Sequence, residues 1–235
     1  TMEEIYHGLL SRDRLSEKKA KLLLEITENQ QKIYEEDRDK LSLYLSIPFC
    51  PTVCSYCSFH TRPYEKKLAQ RYLQELHEDL HFAKEYLRKH KKMVDCIYVG
   101  GGTPWVLEEE DLRELLHALE DFREIKEFTF EGGRIDVLTV GKAELVANAA
   151  TRVCLNPQTL TKGVMPLLGR PETEYLSKWI RKFKDRGLIT SSDLIAGLPG
   201  ETLHGFQESL HELIGYAPDN ITVHNLSLKK GAKLK

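Results

Sequence analysis

Three cysteines crowd into one short stretch, Ile47-Pro48-Phe49-Cys50-Pro51-Thr52-Val53-Cys54-Ser55-Tyr56-Cys57. The spacing C-x3-C-x2-C lets one loop wrap three thiolates around a single metal centre. Closely spaced thiolates select soft sites, zinc or iron–sulfur. A structural zinc site is normally closed by a fourth Cys or His, and His60, three residues beyond Cys57, is the candidate. A [4Fe–4S] cluster held by three cysteines instead leaves one iron without a protein ligand. That open position can take a small chelating ligand and set it beside a reducible centre. Spacing alone leaves both readings open.

Other reactive residues recur at the ends of short apolar runs. Gly100-Gly101-Gly102-Thr103-Pro104 follows one such run; glycine lets a backbone approach a ligand without a Cβ clash, although a tight turn uses the same residues. Glu131 closes EFTFE and can pair with an ammonium group. Arg134 follows, suited either to a substrate carboxylate or to a surface ion pair. Gln158 closes RVCLNPQ, and Arg170 lies twelve residues beyond it. A guanidinium fork suits a carboxylate, but a lone arginine also makes surface salt bridges. Asp193 sits in SDLIAGLPG, where a carboxylate can accept from vicinal hydroxyls. Tyr56 is placed to shield the cysteine loop from water, and His60 and Arg62 are candidates for its substrate side. His224 reads as a buried, hydrogen-bonded core histidine, and Cys96 and Cys154 as small buried hydrophobes.

These residues need elements that bring them together. Apolar runs at 41–47, 94–100, 127–131, 152–158, 191–197 and 220–226 read as strands. Amphipathic runs at 64–90, 109–122, 140–148, 172–186 and 202–216 read as helices between them. This alternation implies right-handed βαβ units and a parallel sheet, either doubly wound or an incomplete barrel. In both architectures function gathers at the C-terminal ends of the strands, which is where the reactive residues fall. Upstream, residues 1–37 read as a helical segment, with Ser16 as a cap and Leu22, Leu23 and Ile26 as its apolar stripe. Residues 35–40 read as a charged connector, and RKHKK at 88–92 as a solvated helix end. The expected domains are 1–37 and 38–235.

The chain has 235 residues, 30% charged and 41% hydrophobic, with a formal net charge of −2. That length can bury a sizeable core. The near-neutral balance argues against a nucleic-acid binder that relies on a bulk basic field. No apolar run approaches the roughly 18 residues of a membrane span, and the first residues lack the order of a signal peptide. A cytoplasmic protein is expected. Five cysteines, an odd number, argue against a disulfide framework.

The cysteine loop, following the first strand and carrying an aromatic before its last cysteine, resembles the radical S-adenosylmethionine (SAM) superfamily, and the resemblance runs over residues 40–228. It implies an α/β fold, a partial (βα)6 TIM-like barrel, with a [4Fe–4S] cluster on Cys50, Cys54 and Cys57 and with SAM as the second cofactor. Gly101, Gly102, Thr103 and Pro104 match the segment that lines the methionine amino group. Glu131 matches a glutamate that contacts SAM, and Gln158 and Arg170 match a Gln and an Arg that touch it. Asp193 matches the residue on the ribose hydroxyls, and Tyr56 an aromatic near the adenine. Glu-Gly-Gly-Arg-Ile-Asp resembles the HemZ-type branch of the oxygen-independent coproporphyrinogen III oxidases. That branch implies an oxidoreductase of haem biosynthesis that oxidatively decarboxylates porphyrinogen propionates, fed by a one-electron donor such as flavodoxin. Related branches imply two alternatives: an enzyme acting on another tetrapyrrole, such as a haem-degrading methyltransferase, or a haem-binding chaperone. Such relatives are longer at both ends, so the chain is expected to be the SAM-binding core of a larger protein.

Overall fold

The computed structural model describes residues 1–33, 39–122 and 125–234. The chain divides into two compact units, Thr1–Asp39 and Lys40–Lys235. The first contains α1 (Met2–Ser11) and α2 (Glu17–Ile33). Ser16 Oγ accepts from Lys19 N at 3.4 Å, the cap expected there. Leu22, Leu23 and Ile26 stay exposed, and among the described residues of this unit only Ala20 is buried. Residues 35–38 of the expected connector lie outside the described residues.

The second unit carries β1 (Lys40–Ile47), a small ribbon of β2 (Phe49–Cys50) and β3 (Arg62–Pro63), then α3 (Lys66–His90), β4 (Met93–Gly101), α4 (Glu109–Leu119), β5 (Glu127–Glu131) and α5 (Val140–Ala149). It continues through β6 (Arg152–Cys154), α6 (Val164–Leu167), α7 (Leu176–Asp185), β7 (Ile189–Ala196), α8 (Leu203–Gly215) and β8 (Asn220–Asn225). Six strands form one parallel sheet in the order β1-β4-β5-β6-β7-β8. That order follows the chain without reversal, which separates the two architectures left open by periodicity. A doubly wound sheet reverses its strand order once; here every right-handed crossover lays its helix on the same face. Burial agrees. Leu45, Ile47, Ile97, Val99, Phe128, Phe130, Val153 and Leu194 belong to the core under the helices. Their alternating neighbours Tyr98, Glu131, Cys154 and Asp193 line a cavity on the other face. The fold is a partial (βα)6 barrel whose sheet ends at β1 and β8.

Element boundaries differ from the pattern where the site intrudes. α3 starts at Lys66 rather than 64, because Tyr64 N donates to Cys50 O at 2.8 Å and so belongs with the ribbon. The strand expected at 152–158 ends at Cys154. Pro157 has no N–H to give a ladder, and Gln158 turns to φ +72°. α7 starts at Leu176 rather than 172, with the Glu172 carboxylate accepting from Gly163 N at 2.6 Å. The ribbon and α6 are too short for any periodicity to announce. Arg88, Lys89 and His90 sit exposed in the last turn of α3, where the helix dipole favours them.

Candidate active site

The cysteine loop leaves β1 and is held on several sides. Gly102 N donates to Ile47 O and Thr103 N to Phe49 O, both at 2.8 Å. Thr103 Oγ1 donates to Cys50 Sγ at 3.4 Å. Across the loop, Ser55 N donates to Leu168 O at 2.9 Å and Thr52 Oγ1 to Gly169 O at 2.8 Å. A Cβ on Gly102 would lie 2.7 Å from Phe49 O and 2.9 Å from Cys50 Sγ, so only glycine allows this approach. The glycine run is therefore a backbone plate beneath the cysteines.

Two cavities meet at the C-terminal edge of the sheet. The smaller, about 110 Å³, is lined by Cys50, Cys54 and Cys57 together with Gly101, Gly102, Thr103 and Arg170. The larger, about 610 Å³, is in the size range of small-molecule sites and contains Tyr98, Cys154, Asp193 and His224. Tyr56, Cys57, Phe59, Glu131, Asn156 and Gln158 wall both. Pro104 lines neither; it opens a 3-10 turn, Pro104–Val106.

The shared wall is polar and incompletely satisfied. Arg170 is only 5% exposed, donates through Nη2 to Asn156 O, and pairs with no carboxylate among the described residues. Burial pushes the Tyr56 hydroxyl up, with Arg170 beside it opposing. Gln158 is pinned at its left-handed φ by Gln158 N to Asp193 O at 3.0 Å and Ile195 N to Gln158 O at 2.8 Å. Its Oε1, and Oδ1 of the buried Asn156, have no hydrogen-bond partner. Glu131 accepts from Tyr98 OH at 2.5 Å and from Asn156 Nδ2 at 3.4 Å. Burial raises both Glu131 and Asp193 above the usual carboxylate range.

Several expectations need correction. His224 is not a core residue: its side chain is 56% exposed, with Nε2 3.5 Å from Asp193 Oδ2. Its place on β8 puts it on the cavity face, not the helix face. Cys154 is likewise on the cavity face, where burial and then Glu131 and Asp193 push its thiol up to about 12. Cys96 is half-buried, two residues before Tyr98 and so on the same side of β4. Arg134 is neither a surface pair nor a free receptor for a carboxylate. It is 5% exposed, its Nε and Nη2 hold Asp136 at 2.9 and 2.6 Å, and its Nη1 donates to Thr52 of the cysteine loop. His60 and Arg62 line neither cavity; they face a separate pocket of about 300 Å³ against α3. His60 therefore does not close a zinc site with the cysteines. Among the described residues no three His, Cys, Asp or Glu side chains gather around a single ion.

Tyr98 and Asn156 were missed by sequence reasoning. The signal was parity: Tyr98 stands two residues from Cys96 on β4, and Asn156 stands two residues beyond Cys154, the last residue of β6.

Comparison with known proteins follows the same chain segment. The model of the radical SAM superfamily matches residues 44–213. The chain is 34% identical to the oxygen-independent coproporphyrinogen-III oxidase-like protein HemZ of Bacillus subtilis, over 99% of its own length and 49% of that protein. It is 29% identical to the haem chaperone HemW of Lactococcus lactis, over 80% and 49%. The structure of coproporphyrinogen III oxidase (HemN) of Escherichia coli, a radical SAM enzyme, matches with TM-score 0.73 at 24% identity, covering 81% of this chain and 45% of that one. The chain thus spans about half the length of the curated relatives it matches. No described helix is long and apolar enough to cross a membrane. Since the match begins within β1, just ahead of the cysteine loop, and runs through the βα array into α8, the chain belongs to the radical SAM superfamily.

Proposed function

We propose that this chain is the SAM-binding core of an oxidoreductase that oxidatively decarboxylates the propionates of a porphyrinogen, as oxygen-independent coproporphyrinogen III oxidases do. The shared wall carries the reading: the three-cysteine cavity and a ligand-sized cavity meet through Tyr56, Glu131, Asn156 and Gln158. Superfamily membership implies a [4Fe–4S] cluster and SAM, and the residues present fit both. Burial pushes the Cys50 and Cys57 thiols up, so their ionisation in this cavity calls for a metal's charge. A four-iron cluster asks for no common ion point, because each thiolate binds its own iron. Held on Cys50, Cys54 and Cys57, the cluster would supply one-electron reduction of SAM and so radical chemistry toward the larger cavity.

The protein's part is positioning and exclusion of water. Arg170, a buried cation without a carboxylate, is the receptor for the methionine carboxylate. Gly101, Gly102 and Thr103 offer backbone at the methionine end, and Pro104 fixes the turn that follows them. The unpartnered Oε1 of Gln158 and Oδ1 of Asn156 are acceptors awaiting donors. Glu131 and Asp193 accept from ribose hydroxyls, and Tyr56 covers the seam between the cavities. Arg134 holds the cysteine loop rather than the substrate.

Anaerobic incubation of iron- and sulfide-reconstituted protein with dithionite, SAM and coproporphyrinogen III tests this. Both 5′-deoxyadenosine and a decarboxylated porphyrinogen should form; deoxyadenosine alone moves the protein to another substrate. Cys54→Ala should abolish the brown chromophore, and a retained cluster absorbance would overturn the ligand assignment. The likeness to the haem chaperone HemW favours a second reading, haem delivery. Stoichiometric haem binding without SAM cleavage under reducing conditions would select it.

A further inference from the structure

The segment 59–62 forms a thin wall behind the cysteines. Phe59 and Thr61 face the cysteine cavity, whereas His60 and Arg62 face the 300 Å³ pocket on the opposite side, as a two-residue period dictates. Pro48 and Phe49, the residues directly before Cys50, also line that pocket, and Arg71 faces them from α3. Arg62 N donates to Pro48 O and Tyr64 N to Cys50 O, both at 2.8 Å. A single two-stranded ribbon therefore separates the pocket from a cysteine thiol. The pocket shares no lining residue with either cavity of the site. Its fixed charge is positive: Arg62 and Arg71 are exposed, neither is ion-paired among the described residues, and Glu75 is the one carboxylate in its lining. Lys67, four residues before Arg71 in α3, carries the same sign, whereas Lys66 faces the acidic group Glu108, Glu109, Glu110 and Asp111.

Resting on the SAM reading above, we propose that this pocket docks the electron donor, a small acidic electron-transfer protein whose surface carboxylates meet Arg62 and Arg71. Opposite charge raises the encounter rate and orients the partner, and this face brings its redox group to the back of the cysteine loop. In the transfer the donor loses one electron and the cluster gains it, passing from its 2+ to its 1+ state; no bond forms or breaks.

The test titrates oxidised flavodoxin, an acidic electron carrier, against the reconstituted protein at low ionic strength. Arg71→Glu should raise Kd about tenfold, Arg62→Glu should do the same, and about 0.5 M salt should erase both differences. Deoxyadenosine formation driven by flavodoxin hydroquinone should fall in parallel, while formation driven by dithionite stays unchanged, which also reports that the variants fold. An unchanged Kd overturns the proposal. An equal loss with dithionite overturns it too, because it puts the arginines in the SAM or cluster machinery. Loss of coproporphyrinogen binding with flavodoxin affinity intact would assign the pocket to substrate carboxylates and likewise overturn it. If the parent protein cleaves no SAM with dithionite, the SAM reading fails, while the titration still decides the docking face.

Discussion

On the cavity floor, burial decides the ionisation of the carboxylates more than their partners do. Desolvation raises Glu131 against the opposing hydrogen bond from Tyr98, and raises Asp193 against the opposing charge of His224. A carboxyl group whose folded pKa is raised contributes stability that is complete below its unfolded pKa and is lost as pH rises through the folded value. Glu131→Gln should therefore raise the Tm of the ligand-free protein at about pH 7, and the gain should vanish toward about pH 4, near the ordinary carboxylate value. The new amide can keep the Tyr98 bond, and Asn156, whose Oδ1 lacks a partner, can flip to accept from it. A series of thermal melts across pH checks the sign. Asp193→Ala should weaken SAM binding by roughly tenfold or more, the worth of a hydrogen bond to a charged group, and leave iron content intact; equilibrium dialysis with iron analysis separates the two. At this scale the cysteine spacing and the DLIAGLP segment were legible, because their residue types are unusual. Arg134 was not: its partner Asp136 stands two residues away, but only the fold shows the guanidinium buried and donating to Thr52.

Between elements, the β4 and β5 loops are locked through one tryptophan. Trp105 is fully buried, its ring centroid is 4.5 Å from that of Phe130, and its backbone N–H donates to Gly132 O at 3.2 Å. A Cβ on Gly132 would fall 1.6 Å from Trp105 Nε1. Lys142 Nζ, from α5, donates to Trp105 O at 2.7 Å and Val137 O at 3.1 Å and closes the same junction. Gly132→Ala should cost about 1–3 kcal/mol or more, the range for overpacking a core, read as a lower urea midpoint with an unchanged slope. The strands and long helices were legible because apolar periodicity reports the face each element buries. The β2–β3 ribbon, α6 and the early end of β6 were not, because they are set by hydrogen bonds to distant residues such as Ser191, Asp193 and Pro48.

At the level of the whole molecule, the candidate SAM site is assembled from the loops after β1, β4, β5 and β6 together with residues of β7 and β8, and so exists only in the folded chain. SAM should stabilise the cluster-loaded protein by about 2.7 kcal/mol at a hundredfold excess over Kd, so that its Tm climbs with the logarithm of SAM concentration. Differential scanning calorimetry across a SAM series measures this, and a flat response would contradict a site spanning these loops. The sequence by itself determined the parallel βα order, the thiolate loop and most of the polar residues at the strand ends, since these depend on local periodicity and residue type. Only the tertiary structure decided barrel against doubly wound sheet, the exposure of His224, the side of the ribbon that His60 and Arg62 face, and the burial of Arg134. Each of these depends on which strands are neighbours and which face the helices cover, and no window of neighbouring residues contains that information.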